Sequence, residues 1–388
     1  MENNNSSRVP KLRFPGFTGK WEPKPLSSFL YEHKTKSDGN CEVHSVSVTK
    51  GVVNQVEYLG RSFAAADTSK YNLAKPDDII YTKSPTGDFP YGIVKQNKNP
   101  YNVIVSPLYA VYTPINKYLG CILDSYFESP ERTNNYLSSL VQKGAKNTIQ
   151  ISNETFISKS ICLPSDPSEQ QKIAECLTEM NEMIIAQSQM VESLEAHKKG
   201  LMQQLFPQPG EKTPRLRFPG FEEEWEEKKF GECFEIGNGR DYKHLAEGNV
   251  PVYGSGGYMC SVNDWLFDGD SACIGRKGSI NNPMLLHGKF WTVDTLFYTY
   301  NYVNTSAHFI YLLFQNIDWM KHNEAGGVPS LSKSIINNIK TYLPKPREQQ
   351  KIVECISALE EEITAQSEKL EALKAHKKGL MQQLLPEL

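Results

Sequence analysis

The sequence predicts an α+β protein: two globular α/β domains separated by a long antiparallel two-helix coiled coil, with pseudo-two-fold symmetry. Three observations lead there. Residues 170–207 and 349–386 align without a gap at an offset of 179, and roughly two-thirds of positions are identical. A shorter pair, PKLRFPGFTGKWE at 10–22 and PRLRFPGFEEEWE at 214–226, recurs at an offset of 204. The blocks between these repeats bear little resemblance to each other. Short motif, variable block and long segment occur twice, an order that holds two different modules in equivalent positions.

A chain of 388 residues is long enough for two or three domains, each with its own core. No apolar run approaches the ~20 residues of a membrane span. MENNNSSRVP lacks the charged and apolar regions of a signal peptide. The eight cysteines are scattered without a CxxC, which suggests neither a zinc site nor a disulfide framework. A cytoplasmic protein with no membrane partner is expected. The net charge of −3 excludes nucleic-acid binding by bulk charge, so any such contact must come from local clusters.

The elements follow in order. Residues 1–24 form an N-terminal repeated segment. Its LRFPGF, at Leu12–Phe17 with Trp21, reads as a Pro-Gly turn pinned by apolar side chains. Such a turn suits a plug over a domain or helix end, or a partner contact. Residues 25–163 form the first variable domain, with strand-like runs at Val43–Val48, Asp78–Tyr81 and Val103–Pro114 between turn residues. Residues 164–207 form the first long helix. Ile173, Leu177, Met180, Ile184, Gln187, Val191, Leu194, Lys198, Leu201 and Leu205 alternate 4 and 3 apart, the seam of a coiled coil. Ser168 with Gln171 makes a weak capping box, and Pro207 ends the pattern.

Residues 208–228 are a linker, QPGEKTP, and the second LRFPGF with Trp225. Residues 229–343 form the second variable domain, with strand-like Pro251–Tyr253, Ser271–Ile274 and Trp291–Tyr300 and helical Ala307–Phe314 and Ile317–Lys321. Residues 344–388 form the second long helix, whose seam breaks at Gln366 and Lys377, the equivalents of Gln187 and Lys198. Polar seam residues fix register and partner. Antiparallel pairing lets the two glutamines approach near the centre. Both helices end in AHKKGLMQQL, where Gly200 and Gly379 cost stability unless something packs closely. Close helix crossing is one explanation. Docking of a partner through His197, Lys198, Lys199, Met202 and Gln203, and through His376, Lys377, Lys378, Met381 and Gln382, is the other.

Polar, basic loops are the candidate DNA contacts. In the first domain these are Lys83, Ser84 and Thr86 after a strand, Lys95, Gln96 and Lys98 just beyond, and Lys143, Lys146 and Asn147 near the end. In the second they are Arg240 and Lys243, then Arg276, Lys277 and Ser279 in GRKGS, with Asn281 and Asn282 next. Arg and Lys suit guanine edges and phosphates, and Asn and Gln suit adenine. GRKGS is the sharpest, although it is not a phosphate-cradling loop, since GxxxxGK[ST] is absent. No catalytic set is visible: no HExxH, no GxSxG, and no Asn-Pro-Pro-aromatic box. The histidines show no metal-ligand spacing. Neither a cofactor nor a metal is assigned to the chain.

Together these features resemble the specificity subunit of a type I restriction–modification enzyme. The paired LRFPGF…W openings, the two EQQKI…HKKGLMQQL helices, NTIQISNETFISKSICLP at 147–164, GGVPSLSKSIINNIKTYLP at 326–344 and YGSGG…IGRKGSINNP…FWTVDTLFY carry the resemblance. It implies two target-recognition domains, each reading one half of a split double-stranded DNA target. It further implies helices that set the gap and dock two methyltransferase subunits, and restriction subunits that translocate DNA. S-adenosylmethionine, ATP and Mg would then belong to the partner subunits, and this chain would be non-catalytic. Two rival classes remain: a stand-alone DNA methyltransferase or nuclease, and a protein scaffold with no DNA role.

Overall fold

The computed structural model describes residues 9–143, 149–208 and 210–386, and it has mixed α and β content. Two compact units emerge: Met1–Ser188 with Glu368–Leu388, and Gln189–Ser367. The division cuts both long helices. Each unit thus holds the start of one helix and the end of the other.

The helices run Pro167–Leu205 and Pro346–Leu384, 39 residues each. Proline opens both, where its missing N–H costs nothing. Both stop two residues short of the next proline, because the residue before proline avoids the helical region. All ten expected seam positions of each helix are buried or half-buried. The expected Ser168–Gln171 capping box does not form. Instead Asp166 accepts from the Ser168 N–H at 2.8 Å, and Gln171 reaches forward to Glu175.

In the first unit, the start of the first helix (Ile173, Ala174, Leu177) and the end of the second (Met381, Leu384, Leu385) are buried in one apolar core. That core also takes one face of a four-stranded antiparallel sheet, ordered Leu30–Glu32, Ala110–Pro114, Ile79–Tyr81, Val94–Gln96. Strand alternation divides the sheet's side chains. Ile79 and Tyr81 face this core, whereas Ile80 and Val111 face a smaller one with Val52, Val103 and Val105. The expected run Val103–Pro114 is two strands, Val103–Val105 and Ala110–Pro114, because Ser106–Tyr109 makes a turn.

The second unit repeats the scheme with different parts. Met202, Leu205 and Phe206 from the end of the first helix share a core with Ile352 and Ile356 from the start of the second. One antiparallel sheet is ordered Glu235–Asn238, Leu296–Tyr300, Ser271–Gly275, Met284–Leu286. A second contains Gly257–Val262, Glu247–Gly254, Lys289–Thr292 and Phe267–Asp268, with one parallel pairing between Glu247–Gly254 and Lys289–Thr292. Helix Ala307–Asn316 covers the first sheet with Phe309, Ile310 and Phe314 fully buried. The expected helical stretch after it is a 3-10 turn, Trp319–His322.

A short antiparallel clasp closes each variable block: Pro23–Pro25 with Ser160–Cys162, and Glu226–Lys229 with Lys340–Leu343. Among the described residues, no helix is long and apolar enough to cross a membrane.

Candidate nucleic-acid interface

The repeated motifs build the frame first. Arg13 of the first LRFPGF donates to both carboxylate oxygens of Glu169, at 2.6 and 2.9 Å. Arg217 of the second does the same to Glu348, at 2.9 and 2.7 Å. Both glutamates are the first residue of EQQKI and are buried. The charge-assisted bond from Glu348 holds the Arg217 guanidinium pKa above its ordinary value. The next residue also turns inward: Gln170 donates to the Pro164 carbonyl and Gln349 to that of Pro344. The motif then reaches the opposite helix end. The Leu12 N–H bonds the Gln383 carbonyl, and the Leu216 N–H bonds that of Gln204, both at 3.0 Å. Each motif thus ties the start of one helix to the end of the other, satisfying a last-turn carbonyl that no helical N–H can reach. Of its two sequence explanations, the plug is what these contacts describe.

In the second unit, three loops converge on residues 291–295. The Arg240 N–H bonds the Thr292 carbonyl at 2.8 Å, and the Trp291 indole donates to the Arg240 carbonyl. Arg276 and Lys277 both bond the Thr295 carbonyl through their N–H groups, at 2.8 and 3.3 Å. Ser255 of YGSGG bonds the Thr295 hydroxyl. Glycine permits the approach. A Cβ on Gly239 would sit 1.9 Å from the Val293 carbonyl oxygen, and one on Gly275 would sit 2.2 Å from that of Ser279. The segment 329–331 braces GRKGS from outside, through Gly278 to Pro329 and Leu331 to Arg276. Arg240, Lys243, Arg276, Lys277, Ser279, Asn281 and Asn282 are all exposed. A braced backbone with exposed cationic and amide side chains can approach phosphates and base edges at little cost in ordering.

The first unit treats its expected contacts differently. Lys95 and Gln96, expected on an exposed loop, are buried in strand Val94–Gln96, Gln96 against helix Lys117–Tyr126 and Lys95 on the opposite face beside Ile80 of the smaller core. There the Asp124 carboxylate accepts the Gln96 N–H, and the Gln96 amide reaches Asp77. They cannot meet DNA in this fold. Lys98 is exposed but paired with Asp124 at 2.6 Å. Lys83 sits half-buried at positive φ and bonds Asn153, which in turn holds Glu32. Burial lowers the Lys83 pKa, and the Glu32 charge opposes that. Ser84 and Thr86 stay exposed at the hairpin turned by Gly87. Lys146 and Asn147 lie outside the described residues, as does the side chain of Lys143.

A basic–aromatic cluster that sequence inspection missed lies earlier in this unit. Tyr58 and Phe63 are exposed, with the Lys50 ammonium 5.6 Å from the Tyr58 ring and the Arg61 guanidinium 4.5 Å from the Phe63 ring. Its signal was the interleaved KGVVNQVEYLGRSF at 50–63. A trio in the second unit was missed as well. Asp270, His287 and His308 bring their ligand atoms within 4.8 Å of one another, although 17 and 21 residues separate them in sequence.

The expected docking residues split. Met202 and Met381 are buried in the cores, so they are not docking contacts. Lys198 pairs with Glu360 and Lys377 with Glu128, both at 2.5 Å. His197, Lys199, Gln203, His376, Lys378 and Gln382 are exposed. Lys199 and Gln203 also line an 850 Å³ groove with Phe206, Gln315 and Ile363. A methyl group on Gly200 or Gly379 would meet no atom within 4 Å. Neither glycine therefore serves a close helix crossing in this chain.

Known proteins share the family pattern and the fold of this chain. Residues 222–375 match the model of the type I restriction modification DNA specificity domain. The fold resembles the type I restriction-modification system S subunit from M. genitalium, at 16% identity and TM-score 0.63, covering 98% of this chain and all of that one. It also resembles a chain from a structure addressing complex assembly and conformational transition of the type I R-M system. There the identity is 15% and the TM-score 0.52, covering 95% of this chain and 97% of that one. The resemblance read from the repeats is thus matched over residues 222–375 by the type I restriction modification DNA specificity domain, and the chain as a whole is similar in fold to these solved S-subunit structures.

Proposed function

We propose that this chain is the DNA-specificity subunit of a type I restriction–modification complex and is itself non-catalytic. The observation that carries the proposal is the convergence of three loops on residues 291–295. They present Arg240, Lys243, Arg276, Lys277, Ser279, Asn281 and Asn282 from a braced backbone within the matched domain. The second variable block reads one half of a split double-stranded DNA target through these residues. The first block reads the other half through Ser84, Thr86 and the Lys50–Tyr58–Arg61–Phe63 cluster, whose rings can stack on bases while the cations meet phosphate.

The two long helices pair antiparallel as a coiled coil and set the gap, with the blocks related by a pseudo-two-fold. In each unit the start of one helix shares a core with the end of the other, and this supports the pairing. The repeated exposed residues His197, Lys199 and Gln203, with His376, Lys378 and Gln382, dock two methyltransferase subunits, and restriction subunits join that assembly. This chain takes no cofactor of its own for that role. S-adenosylmethionine, ATP and Mg belong to the partners, and the complex works in the cytoplasm.

The test is the methylome of cells carrying this chain with its methyltransferase. A bipartite adenine-methylated motif with a fixed gap is expected. A continuous motif, or none that depends on this chain, sinks the proposal. Turnover by the purified chain alone with DNA, Mg and S-adenosylmethionine would establish the stand-alone enzyme instead.

A further inference from the structure

We propose that Asp270, His287 and His308 form a binding site for one divalent transition-metal ion of the zinc class. Two imidazoles and a carboxylate are a common donor set for such an ion, and three protein ligands leave a fourth position for water. Among the described residues, this is the one trio of His, Cys, Asp or Glu that brings its ligand atoms this close.

The distances suit an ion. A tetrahedral centre with bonds of about 2.0–2.1 Å holds neighbouring ligands about 3.3 Å apart. His287 Nδ1 lies 2.9 Å from one Asp270 oxygen, and His308 Nδ1 lies 3.8 Å from the other. These values bracket the required spacing, so small rotations about side-chain bonds close it. The two imidazole ring centres lie 5.3 Å apart at 41°.

Rigid elements hold all three positions. Ser271 pairs with Leu286 in an antiparallel ladder, which places Asp270 and His287 opposite each other at its end. The Gly269 N–H bonds the Gly288 carbonyl at 3.0 Å, just outside them. His308 stands between buried Ala307 and Phe309 at the start of a helix whose N-cap, Ser306, accepts the Phe309 N–H. A site on such elements needs little reorganisation to bind. Strand Ser271–Gly275 leads straight from Asp270 into Arg276 and Lys277. The ion would therefore anchor the far end of the strand that carries the sharpest candidate DNA loop. The metal proposal rests on the ligand geometry and stands whether or not that loop reads DNA.

Cobalt(II) titration of the untagged, full-length chain tests it, followed by competition with zinc. One saturable cobalt per chain is expected, with visible absorption displaced by one equivalent of zinc. Apparent affinity should fall at least tenfold in both His287→Ala and His308→Ala, and less in Asp270→Asn. His244→Ala, an exposed histidine outside the trio, should bind as the parent does. Zinc should raise the Tm of the parent and of His244→Ala, and leave that of His287→Ala unchanged. The trio is exposed or half-exposed, so far-UV dichroism should report native folding in every variant. Undiminished binding in the two alanine variants, or no saturable binding by the parent up to millimolar cobalt, overturns the proposal.

Discussion

In the second unit, Arg276 and Lys277 stand exposed on a loop whose backbone is bonded to Thr295. In the first, Lys95 and Gln96 are buried in a strand and Lys98 is paired with Asp124. The two blocks hang from equivalent clasps and equivalent Arg–Glu clamps, so the frame does not cause the difference. Position along the strand does. Arg276 and Lys277 follow Gly275, where a strand has ended, and their side chains leave the sheet. Lys95 and Gln96 occupy the strand itself, where packing on both of its faces takes them out of solvent. A basic cluster in sequence is thus informative just after a strand and misleading within one.

The clamps offer the strongest way to break this equivalence. Removing the arginine leaves a buried carboxylate, a loss of about 3–5 kcal/mol. Glu169 would still accept from the Trp21 indole at 3.2 Å, whereas the Trp225 indole bonds no group near Glu348. Arg217→Ala is therefore expected to lower the unfolding free energy more than Arg13→Ala, as denaturant titration would measure. Equal losses would mean that the tryptophan contributes nothing.

Next in size is DNA affinity. Arg276→Ala and Lys277→Ala should each weaken binding to the methylated motif by about 1–3 kcal/mol, with stability unchanged. Fluorescence anisotropy at fixed salt reads this directly. A smaller effect concerns the glycines. Since a methyl at Gly200 or Gly379 meets nothing, Gly→Ala at either should stabilise the lone chain by up to about 1 kcal/mol. If the same variants stop co-purifying with the methyltransferase, the glycines exist for a partner. The smallest effect on DNA affinity belongs to Lys98→Ala, because the buried Asp124 carboxylate already holds its ammonium. Affinity should stay within twofold, whereas stability should fall by more than an exposed ion pair is worth, since Asp124 is left buried with the Gln96 N–H as its partner.

Much of the frame was legible in the sequence because it is periodic. The heptad seam located both helices to within three residues at their starts, and the repeat offsets flagged LRFPGF and EQQKI as equivalent pairs. What remained hidden was pairing at long range. Arg13 and Glu169 are 156 residues apart, and nothing local in either predicts that they meet. Asp270, His287 and His308 come from a strand end, a hairpin turn and a helix, so no ligand spacing exists to recognise. Lys95 and Gln96 misled for the converse reason: polar residues in a short strand look like a loop until the packing on its two faces is known.

The bond from the Leu12 N–H to the Gln383 carbonyl carries a topological consequence. It joins the beginning of the chain to its end in the same way that Leu216 joins Gln204 across the short linker at 207–215. In each unit the motif from one half of the chain is thus tied to the last turn of the helix from the other half, through the same pair of backbone groups. A circular permutant that links the present ends by a copy of QPGEKTP and opens at the linker would list the second block first. Every clasp, clamp and helix contact described above would be kept.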